Sequence, residues 1–427
     1  MELLTTPIGG TPAVVETEDS FANVITELAA GHGPIAIDAE RASGFRYSNR
    51  AYLIQIFRRD GGLHLIDPTN LRESKLINNL NDLLESQECV IHAASQDLPC
   101  LREFGILPKK IFDTELGARI AGCERVGLGP LCENLLEISL AKEHSAVDWS
   151  TRPLKAEWLD YAALDVAVLI DLRDKVEELL IESGKLDWAK AEFDSVLNSP
   201  PAKVRQDPWR RTSGMHQIKS RFELAIIRKL WMARDQIAAQ IDLAPGRLLN
   251  DAVIVEIAKA KPNDLATFKA MPIMKERIRN DLQNSYLDTW WQILQETYSQ
   301  DSQTWPEMRA RGDSLPAPRV WREKFPISHA QLAHARIALS QIASSHNLPA
   351  ENLISPEFVK RVIFNEGKEL VLAERDLPKI ESEVSGALSK LGAREWQIEL
   401  TATAIARALC ESEAPKSEPD NEGITQH

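Results

Sequence analysis

The segment PIAIDAE (34–40), followed by AYLIQIF (51–57) and LHLIDP (63–68), decides how the first part of this chain folds. Three short apolar runs separated by turn residues read as β-strands. The gaps between them are too short for parallel crossovers, which need a dozen or more residues, so the spacing predicts an antiparallel meander. Asp38 and Glu40 stand at the end of the first run. Side chains at i and i+2 share one face of a strand, so the two carboxylates point the same way. Like charges this close repel unless a cation lies between them, and a divalent metal ion is the usual remedy. Alone, the pattern is also that of a strand end opening into solvent. A second copy, Asp113-Thr114-Glu115, reads as a helix start with Asp113 as N-cap.

Working outward, the pattern predicts a helix near 75–86, a strand at CVIHAA (89–94), a helix from Asp97 and a short strand near Ile111. The clearest helix runs from Pro153 to about Ser183. Proline suits its first turn, Gly184 follows its end, and Leu154, Trp158, Tyr161, Asp165, Val168 and Leu172 recur at helical spacing. Tyr161 and Asp165 lie one turn apart on a face that is otherwise apolar. A carboxylate there is expensive unless something binds it. Asp97, taken alone, reads as a cap. His92 reads as a structural histidine, and Cys100 and Cys132 as core residues.

The full chain has 427 residues, which predicts two or three domains. Its 44% hydrophobic and 26% charged content is that of a soluble globular protein. No stretch approaches the roughly 18 apolar residues of a membrane helix, and MELLTTPIGG lacks the features of a signal peptide. A soluble, cytoplasmic protein with no membrane partner is the expectation. The five cysteines form no C-x-x-C pair, which supports neither a zinc ribbon nor a disulfide framework. A net charge of −13 argues against coating nucleic acid by bulk charge but leaves room for a local basic patch.

Prolines cluster in NSPPAKVRQDPWR (198–210), and beyond it the chain reads as wholly helical. A second break lies between about Thr304 and Ser328. The end, ESEAPKSEPDNEGITQH, is expected to be disordered. The implied limits are 1–200, 201–300, 301–410 and a tail at 411–427. Within the helical half, Ile237-Ala238, Leu243, Leu248-Leu249, Ile254 and Ile257 match Ile342-Ala343, Leu348, Leu353-Ile354, Val359 and Val362 at a constant offset of 105 residues. Two related helical modules follow. Between Lys203 and Asp235 there are nine Lys or Arg against three acids. Arg210, Arg211, Lys219, Arg221, Arg228, Lys229 and Arg234 are therefore candidates for phosphate contact. Trp209, Trp231 and Trp321 could stack on bases but read better as packing.

In combination, D-x-E on the first strand, Asp97 after a later strand and Y-x-x-x-D on the last helix resemble the DEDD superfamily of 3′-5′ exonucleases. The resemblance is to its tyrosine variant, which includes the ribonuclease D family. AYLIQI, IHAASQDL, IFDT and DWSTRPLKAEWLDYAALDV agree with that branch, over about residues 20–200. The resemblance implies a ribonuclease H-like α/β fold, a mixed sheet flanked by helices. It implies that Asp38, Glu40, Asp97 and Asp165 hold two divalent ions, Mg²⁺ or Mn²⁺. An oxygen-only ligand set suits such hard cations independently of the family. Tyr161 would orient the attacking water. FELAIIRKLWMARDQIAAQIDLAPGRLLNDAVIVEIAKAKP (222–262) resembles the HRDC domain, over about 210–292, and 328–408 resembles a more divergent copy. The family associates these helical modules with nucleic-acid binding. The implied activity is 3′-5′ exoribonuclease action on structured RNA such as tRNA precursors. The alternatives are a DNA exonuclease of the same superfamily, or a nucleic-acid-binding scaffold on a dead nuclease fold. The absence of a G-x-x-x-x-G-K-[ST] loop disfavours a helicase context, and intact carboxylates disfavour the scaffold.

Overall fold

In the computed structural model, the structure describes residues 2–141, 144, 146–201, 205–309, 315, 316, 318–370, 372 and 376–411. Lys203 and the expected tail beyond Glu411 lie outside the described residues. Two compact units divide the chain: 1–111, 138–170 and 197–311 form one, and 112–137, 171–196 and 312–427 the other.

The meander forms as its spacing predicts. Strands β1 (Glu2–Leu4) and β2 (Val14–Val15) and helix α1 (Glu18–Ala30) come first. Then follow β3 (His32–Arg41), β4 (Ala51–Arg59) and β5 (Gly62–Ile66), with β3/β4 and β4/β5 both antiparallel. Helix α2 (Leu76–Glu85) leads to β6 (Cys89–Ile91), helix α3 (Ala94–Phe104), β7 (Ile111–Asp113) and helix α4 (Thr114–Ala121). The six-stranded sheet runs β2-β5-β4-β3-β6-β7, with β6 parallel to β3 and β2 parallel to β5. It is the mixed sheet expected. Strand β8 (Ile138–Leu140) pairs with β1 apart from it. Central β4 is buried continuously from Ala51 to Ile56, as a strand covered on both faces should be. Asp113 caps α4, accepting from the N–H groups of Glu115 and Leu116.

Two expectations change. The helix of motif Y-x-x-x-D starts at Ala156 and breaks at Val168, giving α5 (Ala156–Ala167) and α6 (Leu169–Glu182). It cannot start earlier, because Lys155 is extended and Arg152 ties down the preceding loop. That guanidinium reaches Asp67 Oδ2 (2.6 Å), the Trp149 carbonyl (2.8 Å) and the Tyr52 carbonyl (2.8 Å). The second concerns Asp97, which lies inside the first turn of α3 and does not cap it. The N-cap is Ala93, at φ 58° with no side-chain cap.

In the first unit, α5 packs on β3, β4 and β5. Ala162 and Ala163, both fully buried, let it approach the side chains of Leu53, Leu65 and Trp149. The helical repeat is visible in the backbone. Helices 221–240, 245–248 and 251–260 have counterparts at 326–345, 350–353 and 356–363, each starting 105 residues later. Asp242 (φ 48°) and Asn347 (φ 49°) occupy the same left-handed turn of the two modules. In the second unit, helix α7 (Leu186–Leu197) carries Trp188, stacked on Trp396 at 4.9 Å.

Candidate active site

Alternation along β3 turns Asp38 and Glu40 to the face that α5 covers, where Asp165 reaches them. Ligating oxygens of Asp38, Glu40 and Asp165 all lie within 4.8 Å of one another. Asp97, 5% exposed, joins them through a hydrogen bond between its carboxyl and that of Asp38. Three segments distant in sequence thus bring four carboxyl groups together.

The cluster is electrostatically unfavourable without a cation. Burial pushes the Glu40 carboxyl well above the usual range, and the charges of Asp38, Asp165 and Asp97 push it further. Burial also raises Asp38, against the Ala39 N–H, Arg41 and the bond with Asp97. A set of oxygen donors only, at mutual ligating distance and short of positive charge, fits a hard divalent ion.

Arg41 is a member of the site that the sequence reading passes over. Strict alternation would send it to the far face. The β3/β4 register slips between Glu40 and Arg41, pairing them with Leu53 and Ala51 and skipping Tyr52. Such an irregularity re-aims a side chain. Arg41 Nη2 ends 3.4 Å from Asp97 Oδ1. The available signal was a basic residue directly after D-x-E.

Tyr161 lies one turn before Asp165 on α5 and donates its hydroxyl to that carboxylate. Burial, then the charges of Asp165 and Glu40, raise its pKa far above the ordinary phenol value, so it stays protonated. Its ring is held by Trp149, 6.4 Å away between centroids, and by the edge of His144 at 5.9 Å. His144 is the other neighbour that sequence reading missed. His92 directly follows β6 and is half-buried, while Cys100 and Cys132 are buried.

The seven basic candidates separate by environment. Arg234 is 4% exposed, with Nη1 on Asp251 Oδ1 (2.6 Å) and the Leu249 carbonyl (2.8 Å), so it is used inside its module. Arg210, Arg221 and Arg228 donate to the carbonyls of Glu307, Trp305 and Thr304. Arg211 and Lys219 are exposed and Lys229 half-buried. Trp209 and Trp321 are buried, which makes them packing residues, and Trp231 packs against the core of the first module.

Comparison with known proteins agrees with this architecture. Residues 12–181 match the family described as 3′-5′ exonuclease, 223–289 match the HRDC domain, and 314–409 match the 3′ to 5′ exonuclease C-terminal domain. Ribonuclease D of Gluconacetobacter diazotrophicus is 31% identical over 261 residues, 60% of this chain. The chain spans 64% of the length of that relative. A crystal structure of a protein from Bifidobacterium adolescentis superposes with a TM-score of 0.85 at 36% identity, covering 96% of this chain and 99% of that one. Escherichia coli RNase D shares the fold, with a TM-score of 0.64 at 22% identity over 93% of this chain and 98% of its own. With an exonuclease domain followed by an HRDC domain, and ribonucleases D among its relatives, the chain is similar to the ribonuclease D family of 3′-5′ exonucleases.

Proposed function

We propose that this protein is a metal-dependent 3′-5′ exoribonuclease, shortening RNA from its 3′ end by phosphodiester hydrolysis. The observation that carries the proposal is the convergence of Asp38, Glu40 and Asp165 within 4.8 Å, with Tyr161 one turn from Asp165. In this reading Asp38, Glu40, Asp97 and Asp165 hold two divalent ions, Mg²⁺ or Mn²⁺. Such ions, when bound, activate an attacking water and stabilise charge on the leaving 3′ oxygen. Tyr161, kept protonated by its surroundings, orients the water without serving as its base. Arg41 offers positive charge beside Asp97 where a phosphate arrives.

The substrate in this reading is structured RNA of tRNA-like form. Support comes from relatives named ribonuclease D, and from the E. coli structure, described as an exoribonuclease involved in structured RNA processing. Phosphate contact by the first helical module falls to Arg211, Lys219 and Lys229. The domain limits proposed are 1–200, 201–300 and 301–410.

The test is digestion of matched 5′-labelled RNA and DNA oligonucleotides with Mg²⁺, Mn²⁺ or EDTA. Shortening of RNA alone, abolished by EDTA, is the expected result. Equal shortening of DNA would favour the DNA exonuclease, and no cleavage under any condition would favour a binding protein.

A further inference from the structure

Gln55 lies on β4 directly opposite Asp38 of β3. Residues opposed across an antiparallel pair put their side chains on the same face, with Cα atoms about 4.5–5.5 Å apart. The neighbours of Gln55 on that face are Asp38 on one side and Leu65 of β5 on the other, with α5 above. The residue is 0% exposed. Neither its Oε1 nor its Nε2 has a hydrogen-bond partner among the described residues.

A buried primary amide with nothing to bond is costly, and each such group in a native protein calls for an explanation. Leucine or methionine would fill this place between Leu53 and Leu65 without that cost. The reading of Gln55 as plain packing therefore leaves the choice of an amide unaccounted for.

The place of Asp38 supplies the account. A carboxylate that ligates a divalent ion has more lone pairs than the ion takes, and such ligands are in turn hydrogen-bonded by neighbouring donors. The Gln55 amide is the N–H donor that faces Asp38 across the strand pair.

We propose that Gln55 is a positioning residue of the metal centre, whose side-chain N–H holds the Asp38 carboxylate in the cation-loaded protein. The inference rests on the carboxylate cluster holding a divalent ion, as proposed above. Ligand-orienting partners of this kind typically contribute about 10–100-fold in metal affinity.

The test is calorimetric titration of the full chain with Mn²⁺, using wild type, Gln55→Met and Asp38→Ala. Methionine keeps the volume and removes the amide. Expected are a Gln55→Met melting temperature in EDTA equal to or above wild type, and Mn²⁺ binding weaker by about tenfold or more. Wild-type Mn²⁺ affinity in Gln55→Met, with binding lost in Asp38→Ala, would overturn this inference and leave the carboxylate reading standing. Wild-type affinity in Asp38→Ala would overturn both. A Gln55→Met protein that melts lower or fails to fold in EDTA would also overturn the inference, because the amide would already have a structural partner without metal.

Discussion

The Asp242 carboxylate accepts a 2.8 Å hydrogen bond from the backbone N–H of Ser48. Asp242 lies in the turn that follows the first long helix of the HRDC module, and Ser48 lies in the connection from β3 to β4. The same carboxylate accepts from the Tyr52 hydroxyl at 3.3 Å, with Arg50 at 3.9 Å. Alongside, Ala244 N–H donates to the Phe45 carbonyl at 3.0 Å, and the Arg247 guanidinium stacks 4.0 Å from the Phe45 ring. The helical module thus holds the loop that leaves the carboxylate strand.

Asp242→Ala should lower unfolding stability by about 1–3 kcal/mol, read as a shift in urea midpoint at unchanged slope. Burial favours a raised Asp242 pKa, but the Ser48 bonds and Arg50 outweigh it and hold the carboxyl below its ordinary 3.8. Its contribution is therefore present above that value and lost as pH falls through the lower folded one. Wild type and variant should converge in acid. A variant as stable as wild type near neutral pH would show the contact to be idle.

Glu40→Gln should stabilise the metal-free protein. The unfolded carboxyl titrates near 4.5 and the folded one well above it. Between those values the folded state holds a proton that the unfolded state has released, so stability falls as pH rises through the window. The penalty is complete above it. In EDTA at about pH 8 the variant should melt about 2–4 °C higher, the shift that roughly 1 kcal/mol produces in a protein domain of 150–250 residues. Below about pH 4 the difference should vanish. Lower melting of the variant at pH 8 in EDTA would contradict the repulsion described for this cluster.

Tyr161→Phe keeps the ring against Trp149 and removes only the hydroxyl. Turnover should drop by about 10²–10⁴-fold, the range of a positioned proton-transfer group, with substrate affinity nearly unchanged. Unaltered turnover would reduce Tyr161 to a packing residue.

Among the basic residues, Lys219→Ala and Lys229→Ala should each reduce the slope of log affinity against log salt for a folded RNA by about one unit. Arg234→Ala should behave differently. It removes the buried guanidinium that bonds the half-buried Asp251 and the Leu249 carbonyl, and should cost about 1–3 kcal/mol of stability. Identical salt slopes for wild type and both lysine variants would remove the first module from RNA contact.

What could be read from sequence depended on whether a regular period carried the information. Asp38 and Glu40 share a face through the two-residue period of a strand, and Tyr161 and Asp165 through the turn of a helix. Both relations were legible. Arg41 was not, because a register slip at Glu40 breaks the period and leaves no mark in composition. The helix break at Val168 was hidden because apolar residues continue across it. Its start was misplaced because two of the bonds of Arg152 that fix the preceding loop reach Asp67 and Tyr52, far away in the chain. The 105-residue repeat was legible from its apolar positions, down to the paired turn at Asp242 and Asn347. A local excess of positive charge could not show that Arg234 points inward, since the same helix also packs the module's core.

In the proposed reading the carboxylate cluster performs metal-dependent hydrolysis at an RNA 3′ end. Its most direct test is single-turnover digestion of a 5′-labelled RNA in Mg²⁺ by wild type, Asp38→Ala and Asp165→Ala, resolved at single-nucleotide length. Expected are successive one-nucleotide shortening from the 3′ end by wild type, and no product from either variant, with both variants folded by circular dichroism. Internal cuts by wild type, or near wild-type shortening by either variant, would contradict it.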